Sequence, residues 1–157
     1  GDSLEVVKKL VYDDKVISMD ELLKAVEADF EGYEEIRQMC LNVPKYGNNI
    51  DEVDMLTSKA LQDCAEYCAT LKCGAGNYSS AGVQPTQTNV AMGEMCWALP
   101  SGRKALTPLA DTLSAEQHMD VNGPLAAIQS YGKINHSACT NGTILNMWIS
   151  KTDLIAE

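Results

Sequence analysis

Lys72-Cys73-Gly74-Ala75-Gly76-Asn77-Tyr78-Ser79-Ser80 divides the chain into two unlike halves. Before it, apolar residues recur every three or four positions, the period of an amphipathic helix. After it, Gly, Ser, Pro and Thr become frequent, and Gly82 to Ala91 and Gly142 to Ile149 read as short strands between turns. The pattern is helical through position 72, then strands and long loops over 73–157.

Outward from this divide on the N-terminal side, Ser18-Met19-Asp20-Glu21 fits a capping box that starts a helix at Ser18. Leu22, Leu23, Val26, Phe30 and Tyr33 then form a predicted buried stripe, with Lys24, Glu27 and Glu31 on the solvated face. Asn42 to Asn49 gathers Pro, Gly and Asn into an inter-helix loop. Asn49 or Asp51 is placed to cap the next helix, whose apolar positions Val53, Leu56, Ala60, Leu61, Cys64, Cys68 and Leu71 predict that Cys64 and Cys68 face a core. On the other side, Leu99 to Pro124 shows a turn at Pro100-Ser101-Gly102-Arg103 and little helical period, a length of irregular chain that usually lies on a larger body.

The 157 residues are 45% hydrophobic, enough for one domain, and carry a formal net charge of -10. Such a charge repels phosphates and anionic headgroups, so nucleic acid and membrane surfaces are not expected partners. No stretch approaches the roughly 20 apolar residues of a membrane span. No export signal opens the sequence, so a cytoplasmic location and free thiols at its six cysteines are expected, and the three sequons are read as chance. Gly1 reads as a cleavage scar on an excised piece.

Several ordered segments resemble the glycyl radical enzyme family, which includes pyruvate formate-lyase, glycerol dehydratase, choline trimethylamine-lyase and aryl-acetate decarboxylases. They are Ala81-Gly82-Val83-Gln84-Pro85, Thr88-Asn89-Val90-Ala91-Met92-Gly93, Ala98-Leu99-Pro100-Ser101-Gly102-Arg103-Lys104-Ala105, Pro108-Leu109-Ala110-Asp111, Asp120-Val121-Asn122-Gly123-Pro124 and Asn141-Gly142-Thr143-Ile144-Leu145-Asn146. Upstream, Glu21-Leu22-Leu23, Phe30-Glu31-Gly32-Tyr33-Glu34 and Pro44-Lys45-Tyr46-Gly47-Asn48 are similar too, so nearly the whole chain is covered. Departures are Ser101 where the family usually has Asp, Thr112-Leu113-Ser114-Ala115 where a Gly-containing turn ending in Ser-Pro is usual, and Leu125 where Thr is common. These leave the substrate branch open.

The resemblance implies a partial segment of the α/β barrel from late in the catalytic domain, with the radical-glycine domain absent. It implies a parent lyase in which a backbone glycyl radical, installed by a radical S-adenosylmethionine activating enzyme, oxidises a cysteine that then attacks a small organic substrate. No Arg-Val-x-Gly-Tyr motif is present, and the single Gly-Tyr pair, Gly32-Tyr33, lacks the preceding Arg and Val. Cys64-Ala65-Glu66 lacks the glycine of the family's Gly-Cys-x-Glu loop and lies on a helical stripe, which reads as a buried structural thiol. No catalytic residue is therefore expected here, and the chain alone is expected to be inactive.

The strand around Gln84 to Asn89 is the implied approach to the barrel interior, making Gln84, Thr86, Gln87 and Asn89 the substrate-binding candidates. Cys64, Cys68 and Cys73 lack a Cys-x-x-Cys pair, so no metal site and no bound cofactor are expected. Gly74-Ala75-Gly76 follows a helix and lacks a third glycine, so it reads as a helix terminus and not as a dinucleotide loop. An incomplete barrel exposes strand edges and an apolar face, which predicts a homo-oligomer. The alternative is a stand-alone, non-catalytic remnant that binds a partner through its acidic helices.

Overall fold

The computed structural model describes residues 1–74, 76–84 and 88–147. Helix α1 (Asp2–Val6) runs directly into a π-helical turn (Val7–Asp13), closed by the Asp14 N–H donating to the Lys9 carbonyl at 2.8 Å. Helix α2 (Met19–Glu27) begins where the sequence predicts: Ser18 Oγ accepts from the Glu21 N–H at 3.2 Å, and Glu21 Oε2 accepts from the Ser18 N–H at 2.8 Å. Both orphan donors of that helix start are thereby satisfied.

The predicted stripe is only partly one helix. Chain reversal at Asp29 and Phe30, both at positive φ (51° and 61°), ends α2, and Tyr33 already serves as the N-cap of α3 (Glu34–Asn42). Phe30 still reaches the core from this turn, whereas Leu23 is exposed and Ala25 takes its place inside. Val6, Leu10, Ile17, Leu22, Ala25, Phe30, Cys40, Val43 and Ala98 make the first core cluster. Periodicity places residues on a face, but only while the helix continues.

Helix α4 (Asp51–Thr70) starts after Ile50 without a side-chain cap, so neither Asn49 nor Asp51 has the predicted capping role. Its buried residues are Val53, Asp54, Ser58 and Ala65. Cys64 is exposed and Cys68 only half-buried, contrary to the expected core-facing thiols. Asp54 and Ser58 displaced the expected stripe because both find polar partners on the following elements, which removes the desolvation penalty of burying them. All six cysteines are free.

Beyond α4, a turn through Gly76 brings Lys72 into a single antiparallel bridge with Tyr78, and the Cys73 N–H donates to the Asn77 carbonyl at 2.8 Å. The glycines are thus a hairpin turn and not a helix terminus. Val83 and Thr143 form one parallel bridge; among the described residues no longer strand exists. The predicted strand from Gly82 to Ala91 is corrected at its C-terminal end, where α5 (Asn89–Glu94) forms. Two paired segments alone make a marginal sheet, and here the chain forms a short helix instead, the Met92 N–H donating to the Thr88 carbonyl at 2.7 Å.

Leu99 to Asn122 is irregular as expected, and the Pro100–Arg103 turn closes with the Gly102 N–H donating to the Leu99 carbonyl at 3.0 Å. Sequence reading missed α6 (Gly123–Gly132), although Pro124 in its first turn followed by Leu-Ala-Ala-Ile is a helix-start signal. A 3-10 turn (His136–Ala138) packs with α6 against α4. The second core cluster, Tyr46, Val53, Leu113 and Ile134, lies between these elements.

Candidate functional site

Gln84 and Asn89 both bind backbone. Gln84, exposed and next to the Val83–Thr143 bridge, donates from Nε2 to the Asn141 carbonyl at 2.6 Å. Asn89 opens α5 and donates from Nδ2 to the Leu109 carbonyl at 3.4 Å. They thus fasten two different parts of the second half. Thr86 and Gln87 lie outside the described residues.

The parallel bridge assembles a polar group that sequence reading did not single out. Tyr131 Oη lies 3.1 Å from Thr143 Oγ1, and His136 Nδ1 lies 2.8 Å from the same oxygen. His136 Nε2 is 2.8 Å from the Tyr131 carbonyl, which can only accept. Nε2 therefore donates to that carbonyl; in the neutral ring Nδ1 then accepts from the Thr143 hydroxyl, and the Tyr131 hydroxyl donates to Thr143. Ring centroids 4.4 Å apart complete the packing. The motif around Thr143 was visible in sequence, but its partners 7 and 12 positions upstream follow no catalytic spacing.

A second concentration of titratable groups lies where α1 meets the loops 44–49 and 101–116. The Tyr46 N–H donates to Asp2 Oδ1 at 2.8 Å, and the buried Lys45 ammonium donates to the Cys40 carbonyl at 2.5 Å. Burial pushes the Asp2 and Glu116 carboxyls up and the Lys45 ammonium down, while the opposite charges nearby partly offset each change. Ser101 Oγ is wholly buried without a hydrogen-bond partner, close enough to Glu116 to lower it somewhat yet outside hydrogen-bond geometry. Glu5 is likewise buried with neither oxygen hydrogen-bonded, and burial raises it. Asn48 locks this junction: its Nδ2 donates to the Met119 carbonyl at 2.7 Å, and its Oδ1 accepts from the Asn122 N–H at 3.0 Å.

Cys64, expected as a buried thiol, is on the exposed surface of α4, in regular helix on both sides. Among the described residues no three His, Cys, Asp or Glu side chains are grouped to hold a metal ion. Nor is any described helix long and apolar enough to cross a membrane.

Residues 1–93 match the family described as pyruvate formate lyase-like. Isethionate sulfite-lyase of Oleidesulfovibrio alaskensis is 37% identical over 129 residues, which are 82% of this chain and 16% of that protein. Trans-4-hydroxy-L-proline dehydratase of Clostridioides difficile is 37% identical over 146 residues, 92% of this chain and 18% of the relative. A solved structure of 1,2-propanediol dehydration in Roseburia inulinivorans superposes with a TM-score of 0.87 at 41% identity, covering 93% of this chain and 19% of the other. The chain thus spans less than a fifth of the length of each of these.

Proposed function

The chain belongs to the pyruvate formate lyase-like family of glycyl radical enzymes, and from that premise we propose that it is a barrel segment of a longer glycyl radical lyase. The parent eliminates a group from, or cleaves a carbon bond in, a small organic substrate, as dehydratases and sulfite-lyases among the relatives do by name. Its radical glycine, and the cysteine that relays the radical, belong to other parts of that parent. A radical S-adenosylmethionine activating enzyme installs the radical, and the parent works in the cytoplasm. On this reading residues 1–72 are the helical part of the segment, 73–157 supply its strands and loops, and the isolated chain is inactive.

One observation carries the proposal: large apolar side chains stand in solvent on a chain with a well-formed interior. Met95 (83% exposed), Trp97 (77%) and Val121 (79%) stand in the irregular chain between α5 and α6. Apolar surface of this kind is what further barrel elements would cover. Gln84, Thr86, Gln87 and Asn89 are proposed to line the substrate pocket of that barrel, with the Tyr131–Thr143–His136 group holding the adjoining segment in register.

The test is the full reading frame, followed by expression of its product and treatment with the activating enzyme. A long product with a glycyl doublet in its electron spin spectrum, and no such doublet from the 157-residue chain, supports the reading. A natural product ending near Glu157 overturns it in favour of a non-catalytic module. In the active parent, Gln84→Ala should raise KM while the radical yield stays constant; an unchanged KM removes Gln84 from the pocket.

A further inference from the structure

The chain is acidic overall, with a formal charge of -10, and has only two arginines, Arg37 and Arg103. Both line one cleft of about 430 Å³ between α3 and the loop 102–119, together with Lys104 and one of the two histidines, His118. Such clustering runs against the average charge of the molecule. Apolar surface from Leu41, Pro108 and Met119 completes the walls. That volume lies in the range of small-molecule sites, roughly 300–1,000 Å³.

The two guanidiniums have different tasks. Arg103 is buried and spends its donors on the carbonyls of Trp97 (3.0 Å), Gly93 (3.1 Å), Pro108 (3.3 Å) and Thr107, so it builds the wall while leaving its positive charge without a carboxylate. Arg37 uses only Nε, which donates to the Gly102 carbonyl at 3.0 Å. This single bond fixes the plane of the group, and among the described residues neither terminal nitrogen has an acceptor. A fixed guanidinium with its two terminal NH2 groups free is the fork that grips a carboxylate or phosphate in a bidentate manner.

Among the described residues Arg37, Arg103 and Lys104 meet no carboxylate within 4.0 Å, as is true also of Lys15, Lys24, Lys45 and Lys72, so it is their gathering in one cleft that sets them apart. Two acids are near. Glu34 is held below the usual carboxylate range chiefly by backbone donors, among them the Gly32 N–H at 3.1 Å, with Lys104 adding a smaller effect through space. Glu116 also lines the cleft; burial raises its carboxyl and so favours the uncharged form, while Ser101, Lys45 and the cleft's own Arg103 act in the opposite direction.

We propose that this cleft binds a small organic oxyanion with an apolar stem, the oxyanion gripped by Arg37 with Lys104 and His118, and the stem laid on Leu41 and Met119. The inference stands on this chain's own residues and does not depend on the chemistry of a parent enzyme. Carboxylates and phosphate monoesters share the required oxygens, and the probes below separate them.

Calorimetric titration of the 157-residue chain with benzoate, phenyl phosphate, inorganic phosphate and benzyl alcohol is the test. At least one of the two aromatic anions should bind at sub-millimolar concentration and more weakly as salt rises, and whichever binds tighter names the head group. Equal binding of benzyl alcohol, equal binding of inorganic phosphate, or no binding by any probe overturns the proposal. Arg37→Gln and Lys104→Gln should each weaken the better anion, by tenfold or more for Arg37, while Lys59→Gln on the far ion pair leaves it unchanged. Retained affinity in a folded Lys104→Gln and a folded Arg37→Gln chain also overturns it; circular dichroism verifies the fold, and Lys104→Gln, at a half-buried position whose ammonium makes no hydrogen bond among the described residues, decides the case if Arg37→Gln does not fold.

Discussion

The Lys133 ammonium lies 2.9 Å from Asp54 Oδ2, and this pair fastens α6 to α4. Asp54 is fully buried, and the same oxygen accepts from Ser130 Oγ at 2.9 Å, so one carboxylate holds two positions of the later helix end. Lys133→Met leaves that carboxylate with only the serine and should cost about 2 kcal/mol, below the range for a wholly buried pair because Lys133 is partly solvated. Urea denaturation measures it, and in Asp54→Asn the same lysine change should cost far less.

Two glycines give opposite expectations for the same substitution. A Cβ on Gly93 would collide with the Thr107 carbonyl oxygen, which Arg103 also binds, so Gly93→Ala should cost about 3 kcal/mol or prevent folding. Gly132 ends α6 with nothing within 4 Å and no positive φ, so Gly132→Ala should stabilise by about 0.5–1 kcal/mol. Thermal melts of the two variants should move in opposite directions.

Arg103→Lys keeps the charge and loses the planar fork. A single ammonium cannot reach the carbonyls of Gly93, Trp97, Thr107 and Pro108 together, and the stranded acceptors should cost about 2–3 kcal/mol. Amide hydrogen exchange should quicken over positions 93–108 before the α2 and α3 amides respond.

How much of this was legible follows from where the determining partners lie. The Ser18–Glu21 box is a contact over three positions, and it is read directly from the sequence. Asp54 looks like one more acidic residue in the first turn of α4, because its partners Ser130 and Lys133 lie 76 and 79 positions away. Cys64 and Cys68 fit an apolar period, but burial there was decided by Ser58, which accepts from the Asn135 N–H at 2.9 Å. Among the site candidates, Gln84 and Asn89 rest on the resemblance alone; their carbonyl partners Asn141 and Leu109 leave no trace in local pattern.

Stability should be greatest in mildly acidic solution. Asp2, Glu5 and Glu116 are raised in the folded chain, chiefly by burial, so folding is favoured while they are protonated. That advantage is lost as pH climbs from the ordinary values of 3.8 and 4.5 through the raised ones. Glu21, Glu34 and Glu52 are lowered, by Ser18, by backbone donors and by Lys8 respectively, and their contribution disappears as pH falls below 4.5. Melting temperature should therefore peak just above that value and decline toward neutrality, and Glu5→Gln should flatten the decline.

The isolated chain should self-associate. Met95, Trp97, Val121 and Leu125 are each at least 66% exposed, and contacts between copies would remove them from water. Light scattering over a dilution series should show mass rising with concentration; a constant monomer mass contradicts this. Trp97→Lys should weaken the association.

The Gln84 to Asn141 hydrogen bond joins positions 57 apart, beside the one parallel bridge of the described chain. Closing so long a loop carries an entropic cost before any pairing can offset it. The α1 to α4 region can therefore form early from near neighbours, while the second half waits for its last segment to be made. On a ribosome, where synthesis runs from the N-terminus, residues 81–84 emerge well before their partners at 141–143 and remain unpaired for that interval, which leaves them open to chaperones and proteases during birth of the chain.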